Sequence, residues 1–162
     1  MADFTHIDSN GHVQMVDVTD KSPTQRTAIA EGTVHLSRET LEKIINQSVK
    51  KGNVLETARI AGIMAAKKTA DLIPMCHPLN LTYVKVDFFP DNDRHTIRVQ
   101  SEVRLFGQTG VEMEALTAVS VSALTIYDMV KSYDKGVSFT DIRLVKKTGG
   151  KSGTFLNPLS SS

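Results

Sequence analysis

Apolar and polar positions alternate along three parts of the chain and repeat at helical spacing along three others. From Thr27 to Leu36 the alternation puts Ala28, Ala30 and Gly32 on one face, with Ile29, Val34 and Leu36 as apolar neighbours, which predicts a strand. Ser37 then makes a good N-cap, and Leu41, Ile44, Ile45 and Val49 form a helical stripe that Gly52 stops. Asn53 opens a second helix, with Glu56 at the capping-box spacing. That helix, "NVLETARIAGIMAAKKTADLI", carries Ala58, Ala61, Gly62, Ala65 and Ala66, small residues that admit another backbone, and Pro74 ends it.

Two strands follow. "LTYVKVDFF" alternates Tyr83, Lys85 and Asp87 against Val84, Val86 and Phe88. Pro90 to Asp93 is turn chemistry. "HTIRVQSEVRLF" then sets Ile97, Val99, Ser101, Val103 and Leu105 against Arg98, Gln100, Glu102 and Arg104, a hairpin with one buried face and one face wet or in an interface. "TGVEMEALTAVSVSALTIYDMVKSYDK" reads as a long helix with Leu116, Val119, Ala123, Ile126 and Val130 as its core stripe, and "VSFTDIRLVKK" as the last strand. Residues 1–12 and 150–162 show no such rhythm and read as flexible ends of a single domain spanning 1–162. Strand, helix pair, strand, strand, helix, strand is the split βαβ order. It predicts an α+β, ferredoxin-like fold: an antiparallel sheet with helices packed on one face.

One feature of the long helix constrains assembly. It bears no charge from Ala115 to Tyr127, so no face offers a charged stripe for about three and a half turns. Its outer side is expected to be covered too, most simply by another subunit.

Composition changes this picture little: 40% hydrophobic, 23% charged and a net charge of +1 describe an ordinary folded domain without a global basic field for nucleic acid. One cysteine makes no internal disulfide, the N-terminal residues lack an apolar signal-like run, and the uncharged stretch of thirteen residues is too short to span a bilayer. The expectation is a cytoplasmic protein away from membranes.

Candidate chemistry lies in four places. "LIPMCHPLN" holds the only cysteine, Cys76, beside His77. Adjacent side chains in an extended segment diverge, and His77 precedes a proline, so the pair makes a poor nucleophile and base. No CxxC, HxxxH or HExxH spacing supports a metal. "GVEMEAL" puts Glu112 and Glu114 at a helix start, where Thr109-x-x-Glu112 fits a capping box or the two carboxylates receive N–H donors of a guanine- or pterin-like edge. "YDMVK" puts Asp128 and Lys131 one turn apart at the flank of an apolar stripe: a surface ion pair, or a carboxylate in partly dry surroundings that serves as acid or base. Lysines scattered along the chain, with Arg26, would bind polyphosphate if gathered at one cleft. "GGKSG" lacks the earlier glycine and the following helix of a Walker loop. A non-enzymatic module on this fold is the competing class. RNA stacking is poorly served by nine aromatics in no array, and a regulatory domain that binds a purine triphosphate without consuming it is the better alternative.

Taken together, "MVDVTDKSPTQRTAIAEG", "KKGNVLETARIAGIMAAKKTADLIPMCHPL", "GQTGVEMEALTAVSVSALTIYDMVK" and "KTGGKSG" closely resemble the MoaC family of cyclic pyranopterin monophosphate synthases, over roughly residues 6 to 153. The resemblance implies a lyase of molybdenum cofactor biosynthesis. Its substrate would be (8S)-3′,8-cyclo-7,8-dihydroguanosine 5′-triphosphate, its products cyclic pyranopterin monophosphate and diphosphate. It implies a hexamer built from dimers, with sites at subunit interfaces. Carried over by motif, the catalytic residues are Asp128, Lys51 and Lys131. Met75, Cys76, His77, Glu112, Met113 and Glu114 line the substrate site, and Arg26, Lys67 and Lys147 contact phosphate. One of the lysines would have a depressed pKa among other cations. No redox cofactor is implied, and any Mg²⁺ would arrive with the triphosphate.

Overall fold

The computed structural model describes residue 7 and residues 10–160; most of the expectation for residues 1–12 falls outside this set, as do residues 161–162. The elements are β1 (Thr24–His35), α1 (Arg38–Ile45), α2 (Val54–Ala66), α3 (Thr69–Leu72), β2 (Tyr83–Asp91), β3 (Thr96–Gly107), α4 (Glu112–Val130), β4 (Ser138–Thr148) and β5 (Phe155–Leu156). The sheet order is β2-β3-β1-β4-β5, antiparallel throughout. Its first four strands have the split βαβ arrangement, in which α1 to α3 cross from β1 to β2 and α4 crosses from β3 to β4.

The alternation predicted for the strands is the one that packs. Ala28, Ala30, Val34, Val86, Ile97, Val99 and Val103 are fully buried under the helices. The helix-free face carries Arg98 stacked 4.2 Å from the Phe89 ring and Arg104 stacked 4.7 Å from Tyr83. Pro90 sits on edge strand β2, where its missing N–H costs the sheet no internal bond.

Four expectations change. The first helix ends at Ile45, because Gln47 turns the chain at φ +53°, yet Val49 still reaches the core at 4% exposure. The second helix breaks after Ala66, where the Lys68 amide bonds only three residues back and the Thr69 hydroxyl takes the Ala66 carbonyl at 3.0 Å. The caps themselves hold: Ser37 Oγ accepts from the Thr40 amide and Asn53 Oδ1 from the Glu56 amide. Glu56, however, turns to Arg59 instead of closing a capping box. After Gly150 the chain forms β5, anchored where Asn157 donates its amide to Val145 O and its side-chain Nδ2 to Leu144 O, each at 2.9 Å.

The uncharged helix packs against both the sheet and α2. α4 is long and apolar enough to cross a membrane, but it lies on the sheet as a largely buried core helix, beside α2, which packs on the same face against β2. α2 covers one flank of it, and the side turned away from the sheet stays partly open, with Leu124 56% exposed. The small residues of α2 permit this contact. A Cβ at Gly62 would collide with Ser122 Oγ and meet Ala118 O at 2.9 Å, and Ser122 Oγ donates to Ala58 O at 3.0 Å. Exposed apolar side chains persist further out, at Ile60, Met64 and Leu72, with Leu124 of α4.

Gly62→Val should therefore push the two helices apart and cost on the order of 1–3 kcal/mol of stability. A thermal or denaturant melt equal to wild type would show that the helices do not pack this closely.

Candidate functional site

The first turn of α4 carries Glu112, Met113 and Glu114. Val111 occupies the N-cap position without a side-chain bond, so the Thr109 capping box does not form. Glu112 instead accepts from Lys147 Nζ at 2.8 Å across to β4. Gly110 makes room for that carboxylate, since a Cβ there would overlap Glu112 Oε2. Glu114 is 3% exposed. Burial, with the Glu112 charge adding to it, pushes its pKa up to about 7, against the opposing pull of its own backbone N–H.

Against this turn lies the proline-framed loop. Met75, Cys76 and His77 line a cavity of ≈ 380 Å³ with Met113 and Glu114. Burial, and then the Glu114 charge, raise the Cys76 pKa, which favours the thiol over the thiolate and speaks against a nucleophile. His77 Nε2 donates to Val16 O at 2.9 Å and so ties the N-terminal arm over the cavity.

A second cavity, ≈ 740 Å³, shares Lys21, Thr109, Gly110 and Glu112 with the first. Arg26 and Lys147 line it, but neither is idle. Arg26 donates through Nε to Gly107 O and through Nη2 to Gln108 O, each at 3.3 Å, and Lys147 holds Glu112. Gly149 and Gly150, at φ +96° and +77°, fold over Arg26; a Cβ at Gly150 would strike the guanidinium. Lys67 lines a third cavity of ≈ 360 Å³ that shares His77 and Glu114 with the first. All nine predicted substrate-binding residues thus gather around the N-terminal end of α4.

The three predicted catalytic residues gather at the other end. Lys131 Nζ lies 2.7 Å from Asp128 Oδ1; Lys51 Nζ lies 3.6 Å from Oδ2 and donates to the Asp128 carbonyl at 2.7 Å. Lys51 is placed by the turn in which the Gly52 amide bonds Val49 O. The Asp128 side chain is 60% exposed, not partly dry as its place beside an apolar stripe predicted. The Lys131 hydrogen bond, followed by the Lys131 and Lys51 charges, holds it below the usual carboxylate range. Lys131 is raised by the same bond, the reverse of a depressed lysine. From Glu112 to Asp128 is sixteen residues of helix, or about 24 Å. That is too far for one guanosine-derived ring to touch both ends within one chain.

Sequence reading missed the arm's contribution. Val16, Val18 and Lys21 enter the first cavity, the arm is folded by Thr19 bonding Asp17 Oδ1 at 2.9 and 2.6 Å, and Gln108 Nε2 donates to Thr19 O at 3.3 Å. The partner of Val16 O, 61 residues away at His77, leaves no mark in the local sequence.

The fold and its cavities define an α+β, ferredoxin-like protein with a carboxylate-lined pocket opening onto a cation-lined one. The chain belongs to the MoaC family, whose model matches residues 15–150. It is 66% identical to the cyclic pyranopterin monophosphate synthase of Desulforapulum autotrophicum, over 96% of both chains. It is 63% identical to that of Desulfatibacillum aliphaticivorans, over 97% of this chain and 99% of the relative. For the synthase of Dinoroseobacter shibae the figures are 59%, 96% and 98%.

Glu114 has a stability signature. Its folded pKa lies above the unfolded value, so the folded state holds the proton more tightly. Its stabilising effect is complete below about pH 4.5 and is lost as pH rises through about 7. Melting midpoints of wild type should fall more steeply than those of Glu114→Gln between these limits; parallel profiles would contradict a buried, protonated Glu114.

Proposed function

We propose that this chain converts (8S)-3′,8-cyclo-7,8-dihydroguanosine 5′-triphosphate to cyclic pyranopterin monophosphate and diphosphate. The observation that carries this reading is the junction at Glu112 between the carboxylate-lined pocket and the cation-lined cavity, one suited to a guanine-derived edge and the other to a triphosphate. Glu112 accepts ring and amine N–H donors. Neutral Glu114 can also donate to a ring carbonyl. Arg26, Lys67 and Lys147 supply positive charge around the phosphates.

The chemistry is proton transfer and phosphoryl transfer. Water opens the strained ring and is released when the pyran closes. A sugar hydroxyl then attacks the α-phosphate and expels diphosphate, so the net products are those two molecules. Lys51 and Lys131 serve as acid and base, and Asp128 orients both lysines. With its pKa raised, Lys131 stands as the cation that donates a proton or faces developing negative charge. No redox cofactor enters, and Mg²⁺ accompanies the triphosphate.

The 24 Å between the two clusters supports a site completed by another copy, in which the lysine and aspartate end of one α4 meets the glutamate end of a second. The exposed Ile60, Met64, Leu72 and Leu124 give copies apolar surface to bury, in keeping with a cytoplasmic hexamer built from dimers that has no nucleic acid or membrane partner.

Wild-type protein incubated with the cyclic triphosphate should yield the cyclic monophosphate and diphosphate by mass spectrometry. Lys51→Ala, Lys131→Ala and Asp128→Ala should each lose turnover by roughly 10²-fold or more while folding normally. Near wild-type rates in all three would overturn the assignment. Cys76→Ser should keep substantial activity; near-complete loss in a folded protein would restore the thiol as a nucleophile.

A further inference from the structure

The wall of the larger cavity is built partly by residues beyond the stretch matched by the family model, which ends at residue 150. Lys151 and Ser152 line this cavity beside Gly149 and Gly150. They sit in the turn between β4 and β5, closed where the Gly153 amide donates to Gly150 O at 3.2 Å. β5 pairs Phe155 with Lys147 and Leu156 with Lys146. The two Asn157 bonds to the β4 carbonyls of Leu144 and Val145 then pin the far side of the turn. The short strand thereby holds the loop against Arg26 and over the cavity.

The charges in that cavity differ in availability. Arg26 is bonded to two backbone carbonyls, and Lys147 to Glu112. Among the described residues, the Lys151 and Lys21 ammonium groups have no hydrogen-bond or ion-pair partner. A cation already satisfied by protein must give up a bond to grip a phosphate; a free one need not. Thr24 Oγ1, in the same lining, is the one buried side-chain polar atom without a partner among the described residues.

We propose that the C-terminal hairpin is a phosphate clamp, in which Lys151 binds the terminal phosphates of the substrate and Asn157, through β5, is the positioning residue that holds Lys151 there. This rests on the reading that the larger cavity takes the triphosphate. Arg26 and Lys147 then chiefly build the cavity, and the tail has a function.

Steady-state kinetics with the cyclic triphosphate, and inhibition by inorganic diphosphate as the probe, test this on the full-length chain. Lys151→Ala should raise both the KM and the diphosphate inhibition constant by about tenfold, with a much smaller change in kcat. Lys151→Arg should restore both. Asn157→Ala should raise the same two constants with Lys151 present, and the double variant should be no worse than Lys151→Ala alone, because both act through one contact. Unchanged KM and inhibition constant in a folded Lys151→Ala, or fully additive effects in the double variant, would overturn the clamp. If wild type turns over the substrate while Lys151→Ala behaves as wild type, the clamp alone fails. If wild type forms no product, the reading it rests on fails.

Discussion

The contact between α2 and α4 is the constraint on which the rest depends. α4 has no charge for thirteen residues, which suits a helix packed against both a sheet and a neighbouring helix. The sheet takes one face, and α2 lies against a flank because Gly62 and Ala58 let its backbone come against Ser122 and Ala118. With much of its middle given to packing, α4 carries its charged side chains at its two ends. The buried end offers Glu112 and Glu114; the exposed end offers Asp128 and Lys131, with Lys51 brought in from the turn before α2.

Electrostatics separates those ends as sharply as distance does. At the start of α4 the surroundings are dry enough to raise Glu114, while Lys147 donates to the neighbouring Glu112. At the far end Asp128 is open to solvent and lowered by its lysines. A carboxylate ready to hold a proton and a carboxylate held ionised thus occupy one helix. Joined across two copies, they would face the same substrate.

Much of this was legible before any coordinates. Alternation placed Val34, Ile97, Val99 and Val103 in the core, and Ser37 and Asn53 cap as their side chains require. The motif residues Lys51, Asp128 and Lys131 do meet. What could not be read depends on long-range contacts. Glu112 prefers Lys147, 35 residues away, to the local capping box. His77 takes its partner from an arm that has no strong periodicity of its own. β5 is two residues long, too short for alternation to reveal, and exists because Asn157 finds the free edge of β4. The small residues of α2 announced a close neighbour without saying which; that neighbour is α4.

Whether the two ends of α4 work together across subunits is best tested by mixing. Glu114→Ala and Lys131→Ala, each inactive alone, are co-expressed with different tags and the hybrid oligomers isolated. In a two-fold pair, each mixed interface has one intact site and one doubly defective site, so turnover should return to about a quarter of wild type in a random mixture. Hybrids that form but stay as inactive as their parents would contradict a site shared between copies.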